Sequence, residues 1–288
     1  MGEYVIITDS ACDIMPDMLN EWGVKFCSLT FTFDDSQKIY SNYELKAEEF
    51  YQKMRDGGVA KTAAVNVAAF KELFAEDVKN GKDILYLGFS SGLSTTYNSA
   101  RLAAEELKEE YPERKIVAVD TLAASAGFGL LVYLAVQKKN EGASIEEVAK
   151  FIEDTRMHMC HWFTVDDLVY LKRGGRISPT VAFVGGLLGI KPVLHMDNEG
   201  HLINRFKVRG RKTAVQALAD KFGELAVDPT CGPIFISHGD CVADAEMLRD
   251  MLKEKYNVNV DLIVNVGPVI GAHSGPGTLA LFFVGKER

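Results

Sequence analysis

Serine and threonine side chains are concentrated in one turn of the sequence, where a predicted strand leads into a predicted helix. Residues 88–98 read G-F-S-S-G-L-S-T-T-Y-N. The small residues let a ligand approach the backbone, and Ser94 or Thr95 can cap the helix and leave free amides at its positive end. Such a turn is suited to an anion. It predicts a ligand site with Ser91, Ser94 and Thr95 as candidates, although helix capping alone explains the same hydroxyls equally well.

The same turn also fits the G-x-S-x-G pattern of serine hydrolases over residues 88–92. Ser90 would be the nucleophile, and Asp240 and His273 follow it in the chain order of a catalytic triad. No HGGG-type oxyanion loop precedes the serine. A serine esterase is therefore the alternative function.

Two other polar residues lie in glycine-rich surroundings. Residues 267–277 contain four glycines, two prolines and His273, which predicts a long rigid loop around one imidazole. Arg176 follows a helix that ends at glycines, and its guanidinium keeps its charge, so an inward-pointing Arg176 needs an anion. A structural histidine and a surface salt bridge are the simpler interpretations. Next to Arg176, residues 181–190 are apolar on all sides, as in a core helix or a pocket wall.

Basic residues recur at every second position in the second half of the chain. They are Arg205, Lys207, Arg209 and Arg211, and an extended strand would place all four on one face. Because the chain as a whole carries a net charge of −8, this face is a candidate docking surface. A solvated strand edge protected by charge is the other interpretation.

The composition excludes several classes of protein. With 47% hydrophobic and 25% charged residues the chain is an ordinary globular protein, and its negative charge disfavours a nucleic-acid binder. Five scattered cysteines without a C-x-x-C pair indicate reduced thiols in a cytoplasmic protein, rather than a disulfide framework or a zinc site. The longest uncharged run, residues 122–136, is too short to span the ~30 Å membrane core and predicts a buried helix.

The order of predicted elements indicates an α/β protein with two domains. In the first part, predicted strands and helices alternate, which is typical of a parallel sheet covered by helices. The strands are at residues 4–8, 24–33, 84–89 and 115–119, and the helices are at 44–55, 67–79, 94–111 and 123–139. A helix at 145–158 leads into the second part, where a hairpin turn at 197–200 joins two predicted strands. We expect a mixed sheet there, with strands at 191–196, 201–208, 234–237, 258–263 and 278–284. We place the domains at residues 1–160 and 161–288.

Five motifs, in this order and spacing, resemble the DegV family of bacterial fatty-acid-binding proteins, the relatives of the FakB subunits of fatty acid kinase. The motifs are I-T-D-S followed by Asp13, S-S-G-L-S with T-Y at 90–97, G-G-R-I-S at 174–178, I-K-P at 190–192, and G-A-H with G-P-G at 271–277. The resemblance extends over residues 4–285, nearly the whole chain.

The resemblance implies a two-domain DegV-like fold that holds one long-chain fatty acid, with no cofactor. It places carboxylate-binding residues, Thr62 and Ser94, in loops of the first domain and the apolar tunnel segment in the second. Arg176 and His273 also match the family's site. Thr62 is followed here by A-A-V instead of S-Q-P, and Thr95 replaces a glycine of the family motif.

The resemblance further implies a carrier protein and not an enzyme. In the family's kinase system, a separate FakA-like kinase subunit phosphorylates the bound acid to an acyl-phosphate. The region that meets this subunit resembles the basic run of Arg205, Lys207 and Arg209. The expected partners are thus a fatty acid and a kinase subunit, with no nucleic acid and no membrane span.

Overall fold

The structure, a computed structural model, describes residues 3–178, 189–227 and 232–288. The strands are β1 (Tyr4–Asp9), β2 (Val24–Cys27), β3 (Thr30–Phe33), β4 (Tyr40–Ser41), β5 (Ala60–Ala63), β6 (Asp83–Gly88), β7 (Ile116–Asp120), β8 (Met159–Thr164), β9 (Ile190–Met196), β10 (Leu202–Arg209), β11 (Phe235–His238), β12 (Leu262–Asn265) and β13 (Leu279–Val284). The helices are α1 (Pro16–Glu21), α2 (Ala47–Arg55), α3 (Val67–Lys79), α4 (Thr96–Glu110), α5 (Ser125–Asn140), α6 (Ile145–Thr155), α7 (Val169–Arg173), α8 (Arg211–Leu225), α9 (Val242–Tyr256) and α10 (Pro268–Ser274).

The first part of the chain forms a parallel sheet with the strand order β2-β1-β6-β7. Its central strands β1 and β6 are almost completely buried, as expected where helices cover both faces of a parallel sheet. Asp9, at the end of β1, accepts hydrogen bonds from the Tyr86 hydroxyl at 2.7 Å and from the Phe89 amide at 3.0 Å. These bonds fix the start of the turn that follows β6.

The second part forms a mixed sheet with the strand order β10-β9-β8-β13-β11-β12. Strands β11 and β12 pair in parallel, and the other neighbours are antiparallel. The predicted hairpin turn joins β9 to β10, and Gly200 in it has a φ of +78°. The fold is therefore α/β, with a parallel sheet followed by a mixed sheet, as the sequence predicts.

Helix α5 connects the two parts of the fold. It packs against β8, β11 and β13 of the mixed sheet and against the 3-10 turn Ser10–Cys12 that follows β1. Most of its residues are buried, which explains why this segment is apolar on every side. None of the helices within the described ranges is long and apolar enough to cross a membrane.

A small antiparallel sheet, with the order β4-β3-β5, lies beside these two sheets. Its own core is aromatic and contains Phe31, Phe33, Phe50 and Tyr51. The Tyr51 hydroxyl donates a hydrogen bond of 2.8 Å to the carbonyl of Val266, just before α10. The small sheet is thereby attached to the segment that carries His273.

The structure corrects three predictions about secondary structure. Residues 24–33 are two strands in different sheets, because the chain turns at Leu29, whose amide binds the Ser10 hydroxyl at 2.9 Å. Residues 267–277, predicted as a loop, contain helix α10, with Pro268 at its first position. Strand β8 was not predicted at all, although all six of its residues are buried.

The domain boundary at residue 160 stays a prediction. It falls within β8, which pairs with β13 along its length and with β9 at Phe163 and Thr164. The apolar segment predicted as a pocket wall, residues 181–190, lies outside the described residues except for its last two.

Candidate functional site

A cavity of about 500 Å³ lies between the loops at the carboxyl end of the parallel sheet and one face of the mixed sheet. Ligands of open α/β sheets commonly bind at that end, and the volume is within the usual range for small-molecule sites. Much of the wall is apolar, with Leu29, Phe89, Phe163, Leu171, Ile270 and Phe282 among its residues. The cavity can therefore take up an apolar molecule.

The structure brings all six predicted ligand-binding residues to the wall of this one cavity. They come from four separate parts of the chain and are Thr62, Ser91, Ser94, Thr95, Arg176 and His273. Their shared location makes a single site geometrically possible. Their roles in binding stay predictions.

Thr62 and His273 form a hydrogen-bonded pair. Thr62, on β5, places its Oγ1 2.8 Å from Nε2 of His273, on α10. Burial, and secondarily the positive charge of Arg176, lower the pKa of His273 to about 4, so the ring is neutral at pH 7. A neutral imidazole and a hydroxyl together hold two donor hydrogens, and their mutual bond uses one. Nδ1 of His273 lies against Gly174, so the donor that can reach a ligand oxygen is the Thr62 hydroxyl, in the tautomer whose Nε2 donates to Thr62.

Gly174 allows the imidazole of His273 to pack closely against the backbone. A Cβ atom at Gly174 would lie 2.1 Å from Nδ1 of His273, far inside van der Waals contact. A side chain at this position would displace the ring from Thr62. This steric requirement accounts for the first glycine of the G-G-R-I-S motif.

Arg176 is the only Asp, Glu, Lys or Arg among the described residues that line the cavity. Its Nε donates to the carbonyl of Leu93 at 3.1 Å, and its Nη1 donates to the carbonyl of Gly174. Burial alone lowers its pKa, and within the described ranges no carboxylate forms an ion pair with it. The half-buried guanidinium thus provides a positive charge that an anionic ligand can neutralise.

The turn between β6 and α4 supplies hydroxyl groups to the same wall. Ser94 Oγ accepts a hydrogen bond of 3.2 Å from the amide of Thr96 and lies 2.9 Å from the Thr96 hydroxyl. Ser94 therefore satisfies an amide at the start of α4, whereas Thr95, the N-cap residue, makes no capping bond through its side chain. Ser94 thus caps α4 and also lines the cavity, and its role in ligand binding stays a prediction.

The catalytic triad of the alternative function is not assembled in the structure. Ser90 is fully buried, its Oγ donates to the carbonyl of Gly200 at 2.9 Å, and it accepts from the amide of Gly92 at 3.2 Å. Asp240 pairs with Arg55, and His273 with Thr62. The prediction of Ser90 as a nucleophile is therefore wrong, since Ser90 holds the hairpin turn at Gly200 and none of its bonds involves His273.

The basic residues of the predicted docking surface lie on the edge strand β10. Arg205, Lys207 and Arg209 are exposed, whereas Phe206 and Val208 alternate with them and pack against the core. The prediction that Arg211 shares their face is wrong. Gly210, with a φ of +92°, ends the strand, and Arg211 begins α8.

Several polar residues of the cavity wall were not predicted from the sequence. Ser125, Ser237 and His161 line the cavity together with Ser274 and Thr278. Ser125, Ser237 and His161 stand outside the five motifs, whereas Ser274 and Thr278 lie within or directly after the motif at residues 271–277, in which only His273 was singled out. In the described part of the chain, no group of three His, Cys, Asp or Glu side chains is placed to hold a metal ion.

Comparisons with known proteins agree with this architecture. Residues 3–286 match the model of a family described as "Uncharacterised protein, DegV family". A DegV domain-containing protein of Clostridium perfringens is 47% identical, and the alignment covers 100% of this chain and 99% of that protein.

Among solved structures, a fatty-acid-binding DegV family protein of Thermus thermophilus superposes with a TM-score of 0.86 at 32% identity, over 98% of this chain and 99% of that one. A stearic acid-binding protein of Eubacterium ventriosum superposes with a TM-score of 0.88 at 26% identity, over 98% of both chains. These matches extend over nearly the full length of each protein. The chain belongs to the DegV family.

Proposed function

We propose that this protein binds a long-chain fatty acid, such as palmitic or oleic acid, in the cavity between the loops of its parallel sheet and its mixed sheet. The observation that carries the proposal is Arg176, a positive charge on the wall of a largely apolar cavity that forms no ion pair with a carboxylate in the described part of the chain. A fatty acid has the matching combination of one anionic group and a long apolar chain. Solved relatives of similar fold are described as binding fatty acids, which supports the same conclusion.

The acyl chain supplies most of the binding free energy in this account. Burial of ten methylene groups at about 0.8 kcal/mol each contributes on the order of 8 kcal/mol before the cost of association. The carboxylate contributes orientation, because a carboxylate removed from water must be paired or hydrogen-bonded. Arg176 supplies the charge, and the Thr62–His273 pair and Ser94 supply neutral hydrogen-bonding groups.

The protein acts as a carrier in this proposal and performs no reaction by itself. We further propose that it works in the cytoplasm and presents the bound carboxylate to a kinase subunit for acyl-phosphate formation. The exposed stripe of Arg205, Lys207 and Arg209 would receive that subunit, since a positive surface on an acidic protein attracts a negatively charged partner.

Titration with palmitate tests the proposed ligand. Ser94→Ala removes one neutral hydrogen-bonding group and is expected to weaken palmitate binding about fivefold. Because Ser94 also accepts from the amide of Thr96 at the start of α4, the ligand-free variant should lose about 0.5 to 2 kcal/mol of stability and still fold. Ser99→Ala, in the same helix but off the cavity wall, is the matched control. Equal palmitate affinity in wild type and Ser94→Ala would remove Ser94 from the site, and no binding to wild type would refute the proposal.

Turnover with a fatty acid kinase subunit tests the proposed docking surface separately. Arg209→Glu should leave palmitate binding unchanged and slow acyl-phosphate formation, and Lys253→Glu, on α9, is the control of equal charge change. Equal turnover for the two variants would rule out the stripe as the docking surface.

A further inference from the structure

A second polar cluster lies on the cavity wall, separate from the residues around Arg176. The hydroxyls of Ser125 and Ser237 are 3.0 Å apart, and Ser125 Oγ donates to Oδ2 of Asp13 at 2.6 Å. Both serines line the cavity, and Asp13 stands behind them. All three are buried, with exposures of 6%, 0% and 2%.

The hydrogens of this cluster leave Ser237 with unused bonding capacity. When Asp13 is ionised, Ser125 gives its one hydrogen to the carboxylate, so Ser237 donates to Ser125 and keeps a free lone pair. When Asp13 is protonated and donates, the order of donors reverses and Ser237 keeps a free hydrogen. A hydroxyl group both donates and accepts, so it matches Ser237 in either state.

The charge of the cluster selects against an anion. Burial raises the pKa of Asp13 to about 7, and the neighbouring Asp9 adds to the increase, so this wall is either neutral or negative. Its electrostatics are thus opposite to those of Arg176. A carboxylate is favoured at Arg176, and a neutral polar group is favoured at Ser237.

The other polar groups of this wall are mostly satisfied within the protein. His161 binds the Met159 carbonyl at 3.0 Å through Nδ1 and accepts from the Ala124 amide at 3.3 Å through Nε2. Thr278 donates to a backbone carbonyl. Ser274, with an exposure of 5%, has a hydroxyl with no hydrogen-bond partner and lines the same cavity. A buried hydroxyl that has no partner among the described residues is costly, so Ser274 indicates a polar group in the ligand.

We propose that Ser237, held by Ser125 and Asp13, forms a second polar subsite that binds a hydroxyl group on the chain of a fatty acid. The inference rests on the proposed function, because the carboxylate of the same molecule is taken to bind near Arg176. It extends the ligand class from plain fatty acids to hydroxy fatty acids.

Stearic acid and a panel of stearic acids hydroxylated at different positions along the chain test the subsite. In wild type, one position of the hydroxyl should bind about fivefold more tightly than its neighbours, since only one position reaches Ser237. Ser237→Ala should remove that preference and leave stearate affinity within about twofold. Retained stearate binding shows that the variant is folded.

Two results would overturn the subsite alone. The first is that wild type binds all the hydroxystearates with equal affinity, a result that needs no variant. The second is that Ser237→Ala loses as much affinity for stearate as for the hydroxystearates. Failure of wild type to bind stearate and every hydroxystearate would instead overturn the proposed function, and the subsite with it.

Discussion

Replacement of Arg176 by methionine separates the charge of the site from its shape. Methionine keeps an unbranched chain of similar volume and removes the guanidinium. Hydrogen bonds to charged groups contribute about 1.5 to 3 kcal/mol each, and about 1.4 kcal/mol corresponds to a factor of ten in affinity. Arg176 is only half-buried and already donates to two carbonyls, so we expect the lower part of that range. Palmitate affinity should fall about 10- to 30-fold in Arg176→Met.

Isothermal titration with palmitate and with hexadecanol provides the assay, because the alcohol has the same chain and no charge. Affinity for hexadecanol should be the same in wild type and Arg176→Met. Arg173→Met, at the exposed end of α7 and off the cavity wall, is the matched control and should bind both ligands as wild type does. An equal loss for palmitate and hexadecanol would refute the reasoning, because Arg176 would then contribute packing and not charge.

Three further predictions concern stability and the excluded activity. The pKa of Asp13 is raised to about 7, so the stabilisation from its protonated form is complete below pH 4 and is lost as the pH rises through 7. Asp13→Asn should therefore be more stable than wild type at pH 8, by on the order of 4 kcal/mol in urea unfolding, and should lose this advantage at pH 4; the reverse order would contradict the assignment. Gly174→Ala should lower stability by about 1 to 3 kcal/mol and weaken palmitate binding about fivefold, because its Cβ meets His273, whereas Gly232→Ala has free space and should be neutral. A fluorophosphonate probe should fail to label Ser90. Labelling of Ser90 would instead support the alternative function of a serine esterase.

The sequence specified the turn and the parallel sheet well because their determinants are local. Helix α3 has the predicted bounds, since Asn66 caps it and its apolar residues recur at helical spacing. The turn at residues 88–98 also follows directly from its glycines and hydroxyls. Helix α5 was expected to be buried, because its residues are apolar on every side.

Long-range contacts explain what the sequence did not show. The turn at Leu29 depends on the Ser10 hydroxyl, and strand β8 contains His161 and Trp162, whose burial depends on neighbouring strands. Ser125 and Ser237 are 112 residues apart, so no local pattern could pair them. Arg176 and His273 matched family motifs, but only the fold could place them on one cavity.

Mass spectrometry of the purified protein, first in the native state and then after solvent extraction, tests the central claim most directly. The account predicts a long-chain fatty acid, plain or hydroxylated, in near-equimolar amount with the protein. A protein that carries no such acid and also fails to bind added palmitate or oleate would contradict it.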